Sequence, residues 1–176
     1  MQTITTEAEE KRYTELQYLA LGFARHGETK HLAAMLRAGL PVNLADAKGN
    51  SLLMLASYHG EVETTRMLLE YGADANHQND RGQTPLGGVA FKGYGEIAAV
   101  LIAHGAEVDA DNGAGMTPIM FAAMFGRTKM VMLLQACGAS PARRNRLGIS
   151  ARSMMRLTRP ASLIFGKKKD HPAPAL

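Results

Sequence analysis

GQTPLGGVAFKGYGEIAAVLIAHGAEVD, residues 82–109, sets two readings against each other. Gly87, Gly88, Gly93 and Gly95 crowd together, and Gly93-Tyr94-Gly95-Glu96-Ile97-Ala98 fits the loose dinucleotide fingerprint G-x-G-x-x-A. That fingerprint has to follow a strand and open a long helix. A shift along the chain shows a different rule. GNSLLMLASYHGEVETTRMLLEYGADAN, residues 49–76, and GMTPIMFAAMFGRTKMVMLLQACGAS, residues 115–140, align with it without a gap. Gly27, Gly60, Gly93 and Gly126 are 33 residues apart, as are Gly39, Gly72, Gly105 and Gly138, and Gly49, Gly82, Gly115 and Gly148. Twelve of the 18 glycines therefore lie on three combs of one period, the mark of a repeat architecture. Gly60 and Gly126 have no Gly-x-Gly around them, so Gly93 belongs to the comb and not to a phosphate cradle.

Each unit opens on a polar turn such as Asn79-Asp80-Arg81-Gly82. Thr-Pro or Ser-Leu follows, where the hydroxyl can cap a helix and proline suits its first turn. A short apolar helix is expected to end at the Gly93 position. A second helix, carrying Leu68-Leu69 or Leu101-Ile102, is expected to stop at the Gly105 position, where glycine adopts the left-handed conformation at low cost. Gly87 and Gly88 are the exception, because they fall inside a first helix and cost about 1 kcal/mol each relative to alanine. Close packing with no room for a β-carbon is one reason for them, and a locally soft helix that adjusts on binding is the other.

TPLGGVA, TPIMFAA and LLEYGADAN resemble the signature of the ankyrin repeat, a β-turn plus two antiparallel helices in about 33 residues. The resemblance covers residues 13–157 and implies an all-α solenoid of four repeats, 13–45, 46–78, 79–111 and 112–144, with a C-terminal cap at 145–157. Residues 1–12 read as an N-terminal extension and 158–176 as a basic, Pro/Ala-containing tail. Two features depart from the family pattern. The histidine usual after Thr-Pro-Leu is replaced by Leu21, Met54, Gly87 and Met120, and Gln135 stands where a second leucine is expected.

The charge is unevenly placed. Residues 143–170 carry nine Lys/Arg against one acid, so the formal net charge of +4 is a property of the C-terminal end. No apolar run approaches the roughly 18 residues that span a bilayer, and MQTITTEAEEKRYTE lacks the apolar core of a secretory leader. Cys137 has no partner for an internal disulfide, which suits a reducing compartment and a cytoplasmic location. There is no His-x-x-x-His, Cys-x-x-Cys, G-x-S-x-G or Walker A motif, so neither cofactor nor metal nor enzymatic activity is expected.

The resemblance places the two residues before each Gly93-type glycine on the concave groove: Arg25-His26, Tyr58-His59, Phe91-Lys92 and Met124-Phe125. Stability does not require large apolar groups on a solvent face, and such residues are enriched at interface cores. The expected partner-binding set is Tyr58, Phe91, Met124 and Phe125 as anchors, with Lys48, Arg81, His59 and Lys92 orienting the partner. The bland alternative is that these side chains pack on neighbouring first helices. The family serves as adaptor, inhibitor or regulator of a partner protein, so a protein partner is expected, with the chain a monomer or weakly self-associating. The alternative is electrostatic binding of an acidic protein, nucleic acid or anionic membrane through the basic C-terminal region. No aromatic stacking platform accompanies that charge, which disfavours nucleic acid. Leu163-Ile164-Phe165 can instead fold back over the last repeat.

Overall fold

Thr6 starts the first helix. Its hydroxyl accepts from the Glu9 N–H at 3.4 Å and the Glu9 carboxylate accepts from the Thr6 N–H at 2.8 Å, a reciprocal capping box. Helix α1 therefore spans Glu7–His26, reaching back into the stretch set apart as an extension. In the computed structural model, which describes residues 6–157, eight further helices follow: α2 (Thr29–Arg37), α3 (Leu52–His59), α4 (Val62–Glu70), α5 (Pro85–Lys92), α6 (Gly95–Ala103), α7 (Pro118–Met124), α8 (Thr128–Ala136) and α9 (Ala151–Leu157). The tail at 158–176, with Leu163-Ile164-Phe165 and the lysines at 167–169, lies outside the described residues.

The odd-numbered helices stack closely in the order α1, α3, α5, α7, α9, whereas α2, α4, α6 and α8 touch more sparsely. Small side chains allow the close approach: Ala24, Ser57, Ala90 and Ala123 occupy one repeat position and are all buried. Tighter spacing on one side bends the stack and makes the first-helix side concave. The core runs between the two helix rows through Leu32, Leu68, Leu101 and Leu134, each fully buried. A side chain of the next unit lies over three of the four Gly93-type glycines, Gly27, Gly60 and Gly93. Gly93 has φ +86°, and the Arg127 side chain lies over the place of its missing β-carbon while its Nε donates to the Phe91 carbonyl at 3.1 Å. Tyr94 covers Gly60 in the same way.

The turns share one design with one exception. Asp46, Asn79 and Asn145 each turn a side-chain oxygen onto their own turn, accepting the N–H groups two and four residues on. In the fourth unit Asp111 takes over that task, accepting from Gly113 and Gly115 at 2.9 and 3.0 Å. The Asn112 side chain points inward instead. Its Oδ1 accepts from the Thr84 N–H at 2.7 Å and the Thr84 hydroxyl at 2.9 Å, and its Nδ2 donates to the Ala110 carbonyl. The tip responds: Gly113, Ala114 and Gly115 all take positive φ, with Ala114 at 55°. Adjacent tips are linked through the backbone, Asp80 N–H to Lys48 O and Arg146 N–H to Ala114 O.

Ser51 and Thr84 cap their helices as expected, accepting from Met54 and Gly87 N–H at 3.2 and 3.1 Å. Thr117 does not. Its hydroxyl makes no cap bond and is buried without a hydrogen-bond partner. A buried, unpaired hydroxyl costs about 1–3 kcal/mol, and valine keeps its branched shape. Thr117→Val is expected to raise stability by about 1 kcal/mol, read as an upward shift of the urea midpoint at constant m-value.

Candidate interaction groove

Nothing in the backbone of α3, α5 and α7 forces large side chains onto their concave side, yet three rings meet there. Tyr58 stacks on Phe91 with centroids 6.4 Å apart and planes at 10°. Phe91 meets Phe125 edge to face at 4.4 Å. Tyr58, Phe91 and Met124 share one repeat position, but Phe125 is one residue further on. The ladder therefore crosses from one column to the next at α7, which ends at Met124 and leaves Phe125 in the turn. Tyr58, Met124 and Phe125 are 42%, 42% and 44% exposed, and Phe91 is half-buried between its neighbours. The rings pack on one another and still present edges to solvent. Such aromatic pairs contribute about 0.5–1.5 kcal/mol each beyond burial.

Polar groups frame the ladder. The Lys92 ammonium lies 4.9 Å from the Tyr58 ring centroid and 5.8 Å from that of Tyr94, placing cation–π contacts on both. His59 meets Tyr58 edge-on at 5.7 Å, and its Nδ1 donates to the Leu55 carbonyl at 2.8 Å. Arg25 pairs with Asp46 at 3.4 Å. Burial works to raise the Asp46 pKa, but the Asn50 side chain and N–H, the Lys48 N–H and the Arg25 charge together outweigh it. The carboxyl sits below its ordinary range.

Two open cavities adjoin the ladder. The larger, about 580 Å³, brings together Lys48, Tyr58, His59 and Arg81 beside Arg25 and Asp46. The smaller, about 240 Å³, gathers Tyr58, Phe91, Met124 and Phe125. Lys92 borders neither and touches the ladder through the Tyr58 ring. Gly88 and Gln83 line both cavities, and Asn112 lines the smaller. The floor formed by Gly87, Gly88 and Asn112 was not part of the expected set. Its signal was the pair of small residues where the flanking units have Met54-Leu55 and Met120-Phe121. Helix α5 is unbroken across both glycines; Asn112 occupies the place of a β-carbon at Gly87, and the Tyr58 ring lies 3.2 Å from that of Gly88. Close packing accounts for Gly87, whereas the neighbour of Gly88 is the half-exposed Tyr58 ring.

Two arginines of the basic C-terminal end are held by backbone carbonyls. Arg143 Nη1 donates to the Asp109 carbonyl at 3.1 Å and Arg144 Nη1 to the Gly148 carbonyl at 2.6 Å, while Arg146, Arg152 and Arg156 are exposed. Among the described residues no helix is long and apolar enough to cross a membrane, and no group of three or more His, Cys, Asp or Glu is placed to hold a metal.

Comparison with known proteins agrees with this geometry. The family model for ankyrin repeats (3 copies) matches residues 53–145, more than half of the chain. A Pseudomonas aeruginosa protein named as an ankyrin repeat protein is 48% identical over 44 residues, a match covering 25% of this chain and 26% of that relative. The 33-residue combs, the stacked helix pairs and these matches together show that the chain belongs to the ankyrin repeat family.

Proposed function

We propose that this chain is a non-catalytic recognition module that holds a partner protein in its concave groove, as an adaptor, inhibitor or regulator of that partner. Ankyrin repeats are generally protein–protein interaction modules and are typically non-catalytic. The aromatic ladder carries the reading. Tyr58, Phe91 and Phe125 touch in sequence, remain partly exposed, and open onto two cavities. Folding alone gains more by burying such rings than by presenting them, and clustered aromatics beside cations are the usual make-up of a binding hot spot. Tyr58, Phe91, Met124 and Phe125 serve as anchors. Lys48, Arg81, His59 and Lys92 orient the partner. Neighbouring repeats hold these groups in place before binding, which reduces the entropy lost on association. The lone Cys137 suits a reducing compartment, and we place the module in the cytoplasm as a monomer or weak self-associate.

The test is a pull-down from native lysate with wild type beside Tyr58→Ala/Phe125→Ala. Both rings are exposed enough that the variant is expected to fold, as checked by circular dichroism. Each truncation is expected to weaken capture about tenfold. Equal retention by the folded variant would show that capture does not use the groove and point to Arg146, Arg152 and Arg156.

A further inference from the structure

We infer that the groove takes an acidic peptide segment with an apolar anchor: one large apolar side chain enters the notch above Gly87 and Gly88, and flanking carboxylates meet Lys48 and Arg81. The inference rests on the groove reading and narrows it to a partner chemistry.

The notch is a property of this chain's own residues. At residues 87–88 helix α5 presents bare backbone, where α3 presents Met54-Leu55 and α7 presents Met120-Phe121. Asn112 fills the space beside Gly87 and the Tyr58 ring leans on Gly88, with Cδ2 3.2 Å from the place of a β-carbon. What remains open is the cavity of about 240 Å³, walled by Tyr58, Phe91, Phe121 and Phe125 with Gln83 and Asn112 in its lining. The amide oxygens of its lining are committed: Asn112 Oδ1 is held by Thr84, and Gln83 Oε1 accepts from Asn79. An apolar side chain is therefore the fitting occupant, since a polar one would find few free partners.

Charge sets the flanks. The adjoining cavity of about 580 Å³ shares Tyr58, Gln83 and Gly88 with the notch, so one segment can run through both. Its rim carries Arg25, Lys48 and Arg81 against a single acid, Asp46. That carboxylate is held by Arg25, by Asn50 and by the Lys48 N–H. Lys48 and Arg81 have no ion-pair partner among the described residues. Within the cavity lining the surplus is positive, and it calls for carboxylates. A polyphosphate is a poorer fit. Asp80 is exposed beside Arg81 in the same turn, and a uniformly charged backbone cannot avoid it, whereas a peptide places its acids selectively. The rings also pack against each other and leave edges more than free faces for stacking bases.

The probe is a displayed library of random linear dodecapeptides selected on the immobilised full chain. The expected winners pair a large apolar residue with several Asp or Glu nearby. Their affinity is expected to fall about tenfold or more in Lys48→Glu/Arg81→Glu, whose exposed positions leave the fold intact, and to weaken steeply with salt. Gly88→Leu, which fills the notch, is expected to cause a similar loss. Winners that are neutral or basic, or acidic winners insensitive to the charge reversal, overturn the inference. If such winners are still lost on Tyr58→Ala/Phe125→Ala, the groove reading stands and only the acidic assignment fails. Winners insensitive to both variants, or none at all, sink both readings. So does a single-stranded oligonucleotide that binds at Lys48 and Arg81 while no peptide is enriched.

Discussion

Gly87→Ala is expected to lower the stability of the domain by about 2–3 kcal/mol, against the usual trend for a glycine inside a helix. In an ordinary helix interior this substitution gains about 1 kcal/mol. Here the new methyl group would overlap Asn112 Oδ1 and lie 2.5 Å from its Cγ. Asn112 is buried and held on three sides by Thr84 N–H, the Thr84 hydroxyl and the Ala110 carbonyl, so it has no free direction in which to retreat. Expelling it leaves the Thr84 donors unpaired in the interior, at about 1–3 kcal/mol for each lost partner. The melting temperature is expected to drop by roughly 5–10 °C. The decisive comparison is a double-mutant cycle. Once Asn112→Ala has emptied the space, Gly87→Ala should reverse sign and stabilise by about 1 kcal/mol. Gly88→Ala is the control, since its new contact is with the half-exposed Tyr58 ring, which can shift outward, and most of the helical gain should survive. A stabilising Gly87→Ala in the wild-type background would show that Asn112 leaves its place freely.

This coupling marks the boundary of what one sequence reveals. The period was legible because three glycine combs repeat a local need, positive φ at turn and helix ends, once in each unit. The helix caps at Ser51 and Thr84 were legible for the same reason: residue type and spacing dictate a local bond. Even the start of α1 left a signal, since Thr6 and Glu9 have the capping-box spacing. Asn112 is different. Nothing within its own unit says that its side chain deserts its turn, because the cause lies in the preceding unit, where residue 87 lacks a β-carbon. The consequences then spread to Asp111, which takes over the turn, and to Ala114, which is driven to positive φ. Thr117 fails as a cap although its local sequence, Thr-Pro, matches that of Thr84. The same limit holds for the groove. The column of Tyr58, Phe91 and Met124 follows from the period, but the pairing of Phe91 with Phe125 depends on where α7 ends. The notch depends on what α5 omits.

Leu101→Ala is expected to cost about 2–5 kcal/mol, the range for emptying a fully buried leucine site. Leu101 is on α6, which packs on α5 within its unit and on α4 and α8 on either side. A cavity there weakens the third repeat and both of its interfaces together. In a stack whose stability is the sum of unit and nearest-neighbour contributions, a central defect leaves no intact block of more than two repeats on either side. The expected result is one cooperative urea transition, moved to lower denaturant with little change in slope. Leu134→Ala removes the same side chain, also fully buried, from α8. Among the described residues the row of second helices ends at α8, whose neighbour in that row is α6. The same local loss should therefore be confined to the last repeat and cap, with repeats one to three still protected. Its urea transition should broaden and its m-value fall, and hydrogen exchange should quicken in α8 and α9 while the amides of α4 and α6 stay slow. Equal, purely cooperative shifts for both variants would instead mean that the described repeats unfold as one unit. The groove, set across α3, α5 and α7, would then be only as rigid as the weakest repeat in the stack.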